Sequence, residues 1–368
     1  MRNAPLTPLR YRSSPAREGR LAQDEPFGWG IIGTGTIAGL FAADLGLLPR
    51  ARIAAVHSRS LEKARGFAGR FGQAKAYDDE AAFLSDPAIE AVYVATPNHL
   101  HAAQALRAIA AGKPVLIEKP IALASADVEA IARAAAERGV FAMEALWSRF
   151  LPAVRRAREQ IAAGRIGKVR RIRADLSYLH PEEPGSRFFD PALGGGAAFD
   201  LGVYPLSLTL HLLGEPQAVS GSWIAADTGV DRRSSFRLDY PTAVAELSCG
   251  FDCNGANRLL VEGARGGVIL EAPFLKAQRL SWYADAGRAA AAYERGTGSM
   301  ARLLDRLPQS GRGNENVAFP GNGLQFQAEA AMAAIRAGKR ACEEMSLGES
   351  AAVLRIIDMI RAQPAMTP

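Results

Sequence analysis

One short segment constrains this chain more than any other. Gly33-Thr34-Gly35-Thr36-Ile37-Ala38 follows an apolar run ending at Gly33 and opens an Ala-rich stretch. A glycine in the first position allows a tight strand-to-helix turn. One in the third lets backbone approach a pyrophosphate, and the small sixth residue lets the helix pack closely on the strand. The helix that starts there offers free N–H groups and the positive end of its dipole to phosphates. Gly33, Gly35, Thr36 and Ile37 are therefore expected to hold a dinucleotide.

The surrounding pattern supports that context. From Phe27 to Glu144, short apolar runs at Trp29–Gly33, Arg52–His57, Ala91–Thr96, Pro114–Glu118 and Val140–Met143 alternate with Ala-rich stretches. The runs predict strands. The stretches at Ile37–Leu48, Ser60–Phe71, Leu100–Ala111 and Ser125–Arg138 carry apolar residues three and four apart and predict helices. Ser60 and Ser125 stand where N-caps belong. Strands alternating with helices of this length predict βαβ units and a doubly wound parallel sheet of the Rossmann type.

After about Arg149 the character changes. A helix over Leu151–Ala163 leads into a strand at Lys168–Tyr178, a Gly-rich stretch and a helix around Leu201–Leu213. From Gln217 to about Ala284, runs such as Thr242–Leu247, Arg258–Glu262 and Val268–Leu270 follow without helices between them. They predict a large, mostly antiparallel sheet. Arg288–Pro320 reads as a long loop, either mobile or covering the site. Helices at Leu324–Ala337 and Ser350–Ala362 close the chain. The expected fold class is an α/β Rossmann doubly wound parallel sheet followed by a C-terminal α+β domain. The expected boundaries are 1–26 for a basic arm, 27–146 for the Rossmann domain and 147–368 for a substrate-binding and dimerisation domain. The last helices are expected to pack back on the first domain.

Composition excludes several classes. The chain of 368 residues is 48% hydrophobic and 22% charged, as an ordinary globular protein is, and its length favours two domains. The net charge is +6, but five arginines against one acid in the first twenty residues carry four of those charges. The remainder is nearly balanced, so no nucleic-acid footprint is expected over the fold. No apolar run approaches the roughly 20 residues of a membrane span, and no membrane association is expected. The arm lacks the apolar core of a secretory signal. It reads as a disordered or partner-wrapping extension, with an organelle transit peptide as the alternative. Cys249, Cys253 and Cys342 form a sparse, odd set that fits a reducing compartment, and a cytoplasmic location is expected. Cys249 and Cys253, four apart, are read as packing residues on one face of a strand.

The end of the second strand bears on the choice of cofactor. An NAD enzyme typically places Asp or Glu there for the ribose hydroxyls. This chain reads His57-Ser58-Arg59-Ser60 instead. Arg59, with the hydroxyls of Ser58 and Ser60, suits a 2′-phosphate, so NADP(H) is expected, with NAD(H) as the alternative.

Two further segments end strands beside the same crevice: Thr96-Pro97-Asn98-His99-Leu100-His101 and Glu118-Lys119-Pro120. Lys119 is held extended by the proline after it. It can hydrogen-bond a substrate hydroxyl and help remove its proton, provided burial lowers its pKa. Downstream, Asp200 and Tyr204 are four apart and share a helix face behind Gly194-Gly195-Gly196, which permit close backbone approach. Tyr204 is a candidate proton donor or acceptor, oriented by Asp200. His211, in an apolar helix, reads as a satisfied core histidine. His180, in a Pro-flanked loop, is assigned no role.

These motifs occur in order with Met143-Glu144-Ala145-Leu146-Trp147-Ser148-Arg149-Phe150. Together, over about residues 27–365, the chain resembles the glucose–fructose oxidoreductase/inositol dehydrogenase/MocA family. Within it, the dihydrodiol dehydrogenase and NADP-dependent xylose dehydrogenase branch is most similar. The resemblance implies a Rossmann domain followed by a sheet domain that commonly forms the dimer interface. It implies that Lys119 takes part in catalysis and that Tyr204 fills the acid–base position where inositol-type members carry a histidine. Asp200 matches the family's aspartate one helical turn earlier. Thr96, Pro97, Asn98 and His101 match the element beside the nicotinamide, next to Glu118. Trp147 and, by position, Arg187 are implied to touch substrate.

The activity expected is hydride transfer between NADP(H) and a sugar, polyol or cyclic diol, with no metal, by a homodimer or dimer of dimers. Two alternatives remain. One is a sugar–sugar oxidoreductase whose NADP never leaves, and the other is a non-catalytic NADP-binding regulator.

Overall fold

Every residue of the first strand, β1 (Phe27–Ile32), is buried, as the central strand of a parallel sheet covered on both faces must be. The computed structural model describes residues 25–72, 74–183, 185–295 and 311–366. Around β1 lie β2 (Ala51–His57), β3 (Lys75–Tyr77), β4 (Ala91–Val94), β5 (Val115–Glu118) and β6 (Ala142–Ala145). All pair in parallel, in the order β3-β2-β1-β4-β5-β6. The connections run through α1 (Thr36–Leu45), α2 (Leu61–Arg70), α3 (Glu80–Ser85), α4 (His101–Ala110) and α5 (Ser125–Arg138). The strand order reverses between β1 and β4, and the carboxyl ends of those strands frame the crevice where such sheets bind ligands.

The expected strands and helices of this half are present, with β3 and α3 in addition. A three-residue edge strand leaves no alternation to read. Ser60 caps α2 as expected, its Oγ accepting the N–H of Lys63. Ser125 does not cap α5. The cap position is Ala124, and the Ser125 N–H instead donates to Asp358 from the end of the chain at 3.2 Å.

The second sheet has eight strands in the order β14-β13-β12-β11-β7-β10-β9-β8. They are β7 (Val169–Ser177), β8 (Ala218–Ala225), β9 (Asp231–Asp239), β10 (Val244–Gly250), β11 (Leu259–Gly263), β12 (Gly267–Leu270), β13 (Arg279–Tyr283) and β14 (Arg312–Asn316). Among the described residues, only the β7–β10 strand pair of this sheet is parallel. Helix α6 (Pro152–Ala162) enters this half. A π-turn (Ala198–Gly202) runs straight into α7 (Val203–Leu213), which lies buried against β7 and β10.

Arg288–Pro320 is not one long loop. α8 (Ala286–Glu294) begins on a cap in which Asp285 accepts the Arg288 N–H, and β14 pairs with β13. The β14 sequence Arg-Gly-Asn-Glu-Asn has no apolar alternation because it is an edge strand. Residues 296–310 of that stretch, and 1–24 of the basic arm, lie outside the described residues. Cys249 is buried on β10, but the strand ends at Gly250. Cys253 is therefore exposed beyond it, off the face the spacing assigned.

The two closing helices, α9 (Leu324–Arg336) and α10 (Leu347–Arg361), return to the first sheet, α9 against α1 and α10 against α5. The start of α9 has no cap of its own. Asp44, buried at the end of α1, supplies one, its carboxylate accepting the N–H groups of Asn322 and Leu324 at 2.9 Å.

Candidate active site

The phosphate loop is shaped as its sequence requires. Gly33 has φ +108, and a Cβ there would lie 2.4 Å from the carbonyl oxygen of Ala95, so both conformation and space demand glycine. A Cβ on Gly35 would meet nothing within 4 Å. No side chain caps α1 behind it, which leaves its first N–H groups facing open space.

That space is a cavity of about 1010 Å³ at the carboxyl ends of the parallel strands. All the candidate residues line it. The loop residues Gly33, Gly35, Thr36 and Ile37 form one wall, with Ser58, Arg59 and Ser60 at the end of β2. Thr96, Pro97, Asn98, His101, Glu118 and Lys119 follow, and Trp147, Arg187, Asp200 and Tyr204 close the far end.

At the far end Lys119 reaches across from the tip of β5 to the π-turn. Its Nζ donates to the main-chain oxygen of Asp200 at 2.8 Å and to Oδ1 at 3.0 Å. Arg187 donates to the same Oδ1 at 3.2 Å. Burial disfavours the Asp200 carboxylate, but Lys119 and Arg187 outweigh it and hold its pKa below the usual range. Burial likewise opposes the Lys119 charge, yet the Asp200 carboxylate pushes its pKa up. This corrects the expectation of a lowered lysine pKa. Position predicts the desolvation, but the adjoining carboxylate comes from a segment 81 residues on, and Lys119 is an ammonium donor.

Tyr204 sits one turn beyond Asp200, its ring 5.2 Å from Lys119 Nζ, and its oxygen accepts the Trp147 indole N–H at 3.0 Å. Burial raises its pKa, so it stands as a protonated phenol. The helix face inferred from the spacing is irregular at Asp200, which lies in the π-turn, but both side chains reach the cavity.

Several candidates shape the walls through the protein itself. His101 directs Nδ1 at the carbonyl of Pro120 (2.7 Å) and Nε2 at that of Thr96 (2.8 Å), so both ring nitrogens are engaged with backbone. Asn98 donates to the carbonyl of Gly194 at 3.1 Å, tying the first sheet's loop to the glycine stretch. Glu118 accepts the hydroxyl of Tyr93 and the N–H of Lys119, and burial pushes its carboxyl up to about 7.

Other residues were not foreseen. Lys63 lines the cavity beside Arg59. It lies three residues past the cap at Ser60, and helical side chains lean back toward the N-terminus, so the spacing was a usable signal. Leu275 comes from a short 3-10 turn (Phe274–Lys276) that links β12 to β13, and no local pattern marks it. Among the described residues the lining near the end of β2 contains no carboxylate. His211 is buried as expected but not satisfied, since its Nε2 has no hydrogen-bond partner among the described residues. His180 stacks on Phe188 with ring centroids 4.1 Å apart.

A glycine turn shaped for a dinucleotide on one side of a cavity and a cluster of ionisable side chains on the other is the arrangement of an NAD(P)-dependent dehydrogenase. Fold and site assign the chain to that class. Over residues 27–146 it matches the oxidoreductase family with an NAD-binding Rossmann fold, and over 154–269 the GFO/IDH/MocA C-terminal domain. The chain belongs to this Gfo/Idh/MocA family of oxidoreductases.

Over 243 residues it is 36% identical to a trans-1,2-dihydrobenzene-1,2-diol dehydrogenase of Mus musculus, a match covering 65% of this chain and 72% of that protein. The Homo sapiens protein of the same description is 35% identical over 250 residues, or 67% and 74% of the two chains. The structure of an aldose-aldose oxidoreductase from Caulobacter crescentus, complexed with glycerol, superposes with a TM-score of 0.78 at 26% identity, over 92% of this chain and 97% of that one. A 3-ketoreductase from Actinomadura kijaniata, solved with NADP and TDP-benzene, shares the fold, with a TM-score of 0.76 at 23% identity over 93% and 99%.

Proposed function

We propose that the protein transfers hydride between NADP(H) and a secondary alcohol or carbonyl of a sugar, polyol or cyclic diol. The observation that carries this is the Lys119–Asp200–Tyr204 cluster facing the phosphate loop across one cavity. The relatives named for diols and aldoses support the substrate class.

The residues present fit the dinucleotide. The open space over Gly35 and the uncapped start of α1 suit a pyrophosphate. Ser58, Arg59 and Lys63, with no carboxylate among them, suit a 2′-phosphate better than a bare ribose. NADP(H) is therefore the preferred cofactor. When bound, the nicotinamide gives or takes the hydride.

The chain's own residues manage the proton. In the reducing direction Tyr204 donates its phenolic proton to the substrate oxygen as hydride reaches the carbon. Lys119, held by Asp200, stabilises the charge on that oxygen and on the phenolate left behind. In the oxidising direction Tyr204 first releases its proton to solvent, and the phenolate, steadied by the Lys119 charge, then takes the hydroxyl proton as the hydride departs. Arg187 and Trp147 flank the substrate's remaining hydroxyls.

The test is a spectrophotometric screen of aldoses, inositols and cyclic trans-diols with NADP⁺ and NAD⁺ side by side. NADP⁺-linked oxidation of at least one class is expected, and tight NADP(H) binding with no turnover of any class would defeat the reading. Release of free NADPH distinguishes a dehydrogenase from a sugar–sugar oxidoreductase with retained cofactor.

We further propose residues 27–146 and 147–368 as its two working domains, and assembly as a homodimer or dimer of dimers through the second sheet. On β7, Ile172, Ala174 and Leu176 turn inward while Arg171, Arg173 and Asp175 face the other way. That face carries both signs, Arg171 beside Glu246 and Arg173 beside Glu262, so a two-fold pair can set the cations of one copy against the carboxylates of the other, and sedimentation velocity reads the result. Three free thiols agree with a cytoplasmic location.

A further inference from the structure

A carboxylate that never touches the cavity sits directly behind the site. Asp231, the first residue of β9, is fully buried. Its Oδ2 accepts the N–H of Ala198 at 2.7 Å and the hydroxyl of Ser234 at 2.8 Å. Ala198 is the first residue of the π-turn that carries Asp200. Arg361, near the end of α10, places Nε 3.7 Å from the other carboxylate oxygen and lies over the ring of Phe199, 4.9 Å from its centroid. Gly196 adopts φ +124, and a Cβ there would stand 2.3 Å from Asp231 Oδ1. The backbone is thus laid directly onto this carboxylate.

The π-turn itself has a consequence at the site. Such turns widen the helical ladder and occur frequently at functional sites, and here the main-chain oxygen of Asp200 accepts Lys119 Nζ. A buried, ionisable cap is an expensive way to start a helix when a neutral serine or asparagine supplies the same acceptor.

We propose that Asp231 is a positioning residue: by holding the Ala198 N–H it fixes the register of the π-turn, and so keeps both oxygens of Asp200 on Lys119. This rests on the reading of Lys119 and Tyr204 as the proton-handling groups. Arg361 and Ser234 hold the carboxylate in turn, so the end of the chain braces the site through β9.

The test compares Asp231→Ala with Asp231→Asn, which keeps an oxygen for the Ala198 N–H. In a crystal structure of Asp231→Ala the Lys119–Asp200 main-chain contact is expected to be lost. Turnover is expected to fall about 100-fold, the scale of an ångström-sized misplacement, with NADPH affinity by fluorescence titration unchanged. Asp231→Asn is expected to recover most of that turnover. A folded Asp231→Ala protein with the contact intact and wild-type turnover overturns the proposal, as does an asparagine variant that recovers nothing. Should Asp231→Ala not fold, Asp231→Glu carries the test. It keeps the charge but displaces the acceptor, and wild-type turnover in that variant overturns the proposal equally. Loss of turnover in Lys119→Ala but not in the Asp231 variants would remove this inference alone. Retained turnover in Lys119→Ala would remove the reading beneath it.

Discussion

Lys119 Nζ lies 2.8 Å from the main-chain oxygen of Asp200 and 3.0 Å from its Oδ1. One ammonium thereby ties the tip of the first sheet's fifth strand to a turn that belongs to the second half of the molecule. The contact keeps the lysine charged against the cost of burial, which makes it a donor and an electrostatic support rather than a base.

Removing Lys119 or Tyr204 should slow chemistry while sparing cofactor binding. Lys119→Met and Tyr204→Phe are each expected to lower kcat by about 100- to 10,000-fold, with NADP(H) affinity little changed. Steady-state kinetics on a substrate found by the screen, with fluorescence titration of the cofactor, read both quantities. Near-wild-type turnover in both variants would remove these residues from the chemistry.

Asp200→Asn should move the alkaline limb of the pH profile. Asp200 is among the groups that raise the Lys119 pKa, whereas burial lowers it. Without the carboxylate charge the balance tips toward burial, and the lysine loses its proton at lower pH. The alkaline fall in kcat/KM is therefore expected at a lower pH than in the wild type. A shift in the opposite direction would contradict the coupling.

Cofactor choice should respond to Arg59, just past the second strand, and Lys63, in the first turn of α2. Arg59→Ala and Lys63→Ala are each expected to raise KM for NADP⁺ by about 10- to 100-fold, the scale of a lost charge-assisted hydrogen bond. KM for NAD⁺ should change little. Equal effects on both cofactors would show that these cations do not read a 2′-phosphate.

His211 should make the fold acid-sensitive. Burial, with Arg149 and neighbouring arginines, pulls its pKa down to about 3, against an ordinary value of 6.5. Between those two values the unfolded chain binds the proton and the folded one does not. Its contribution is therefore intact above pH 6.5 and is lost as pH falls toward 3, at roughly 1.4 kcal/mol per pH unit. His211→Leu is expected to flatten the dependence of Tm on pH across that window in scanning calorimetry. An unchanged slope would assign the acid sensitivity elsewhere.

Local chemistry was enough to read the nucleotide-binding half. The alternation of apolar runs with Ala-rich stretches and the two glycines at 33 and 35 express backbone geometry that neighbouring residues dictate. Gly33 is needed because of a close approach to Ala95, but its motif announces the turn without knowledge of that partner. The same holds for Ser60 as a cap. Local reading failed where a partner distant in sequence decides. Ser125 gave up its cap role because its N–H meets Asp358, β14 exists only by pairing with β13, and Asp44 caps a helix some 280 residues on.

The site divides along the same line. Residue types and spacings alone marked Gly33–Ile37 as a turn shaped to hold a dinucleotide, and Lys119, Asp200 and Tyr204 as chemically equipped to move a proton. Only the tertiary structure decided the protonation of those groups, because charge state depends on what lies within a few ångströms. Asp200 keeps Lys119 an ammonium, burial keeps Tyr204 a phenol, and Asp231, from a strand that no motif marks, supports the turn that joins them.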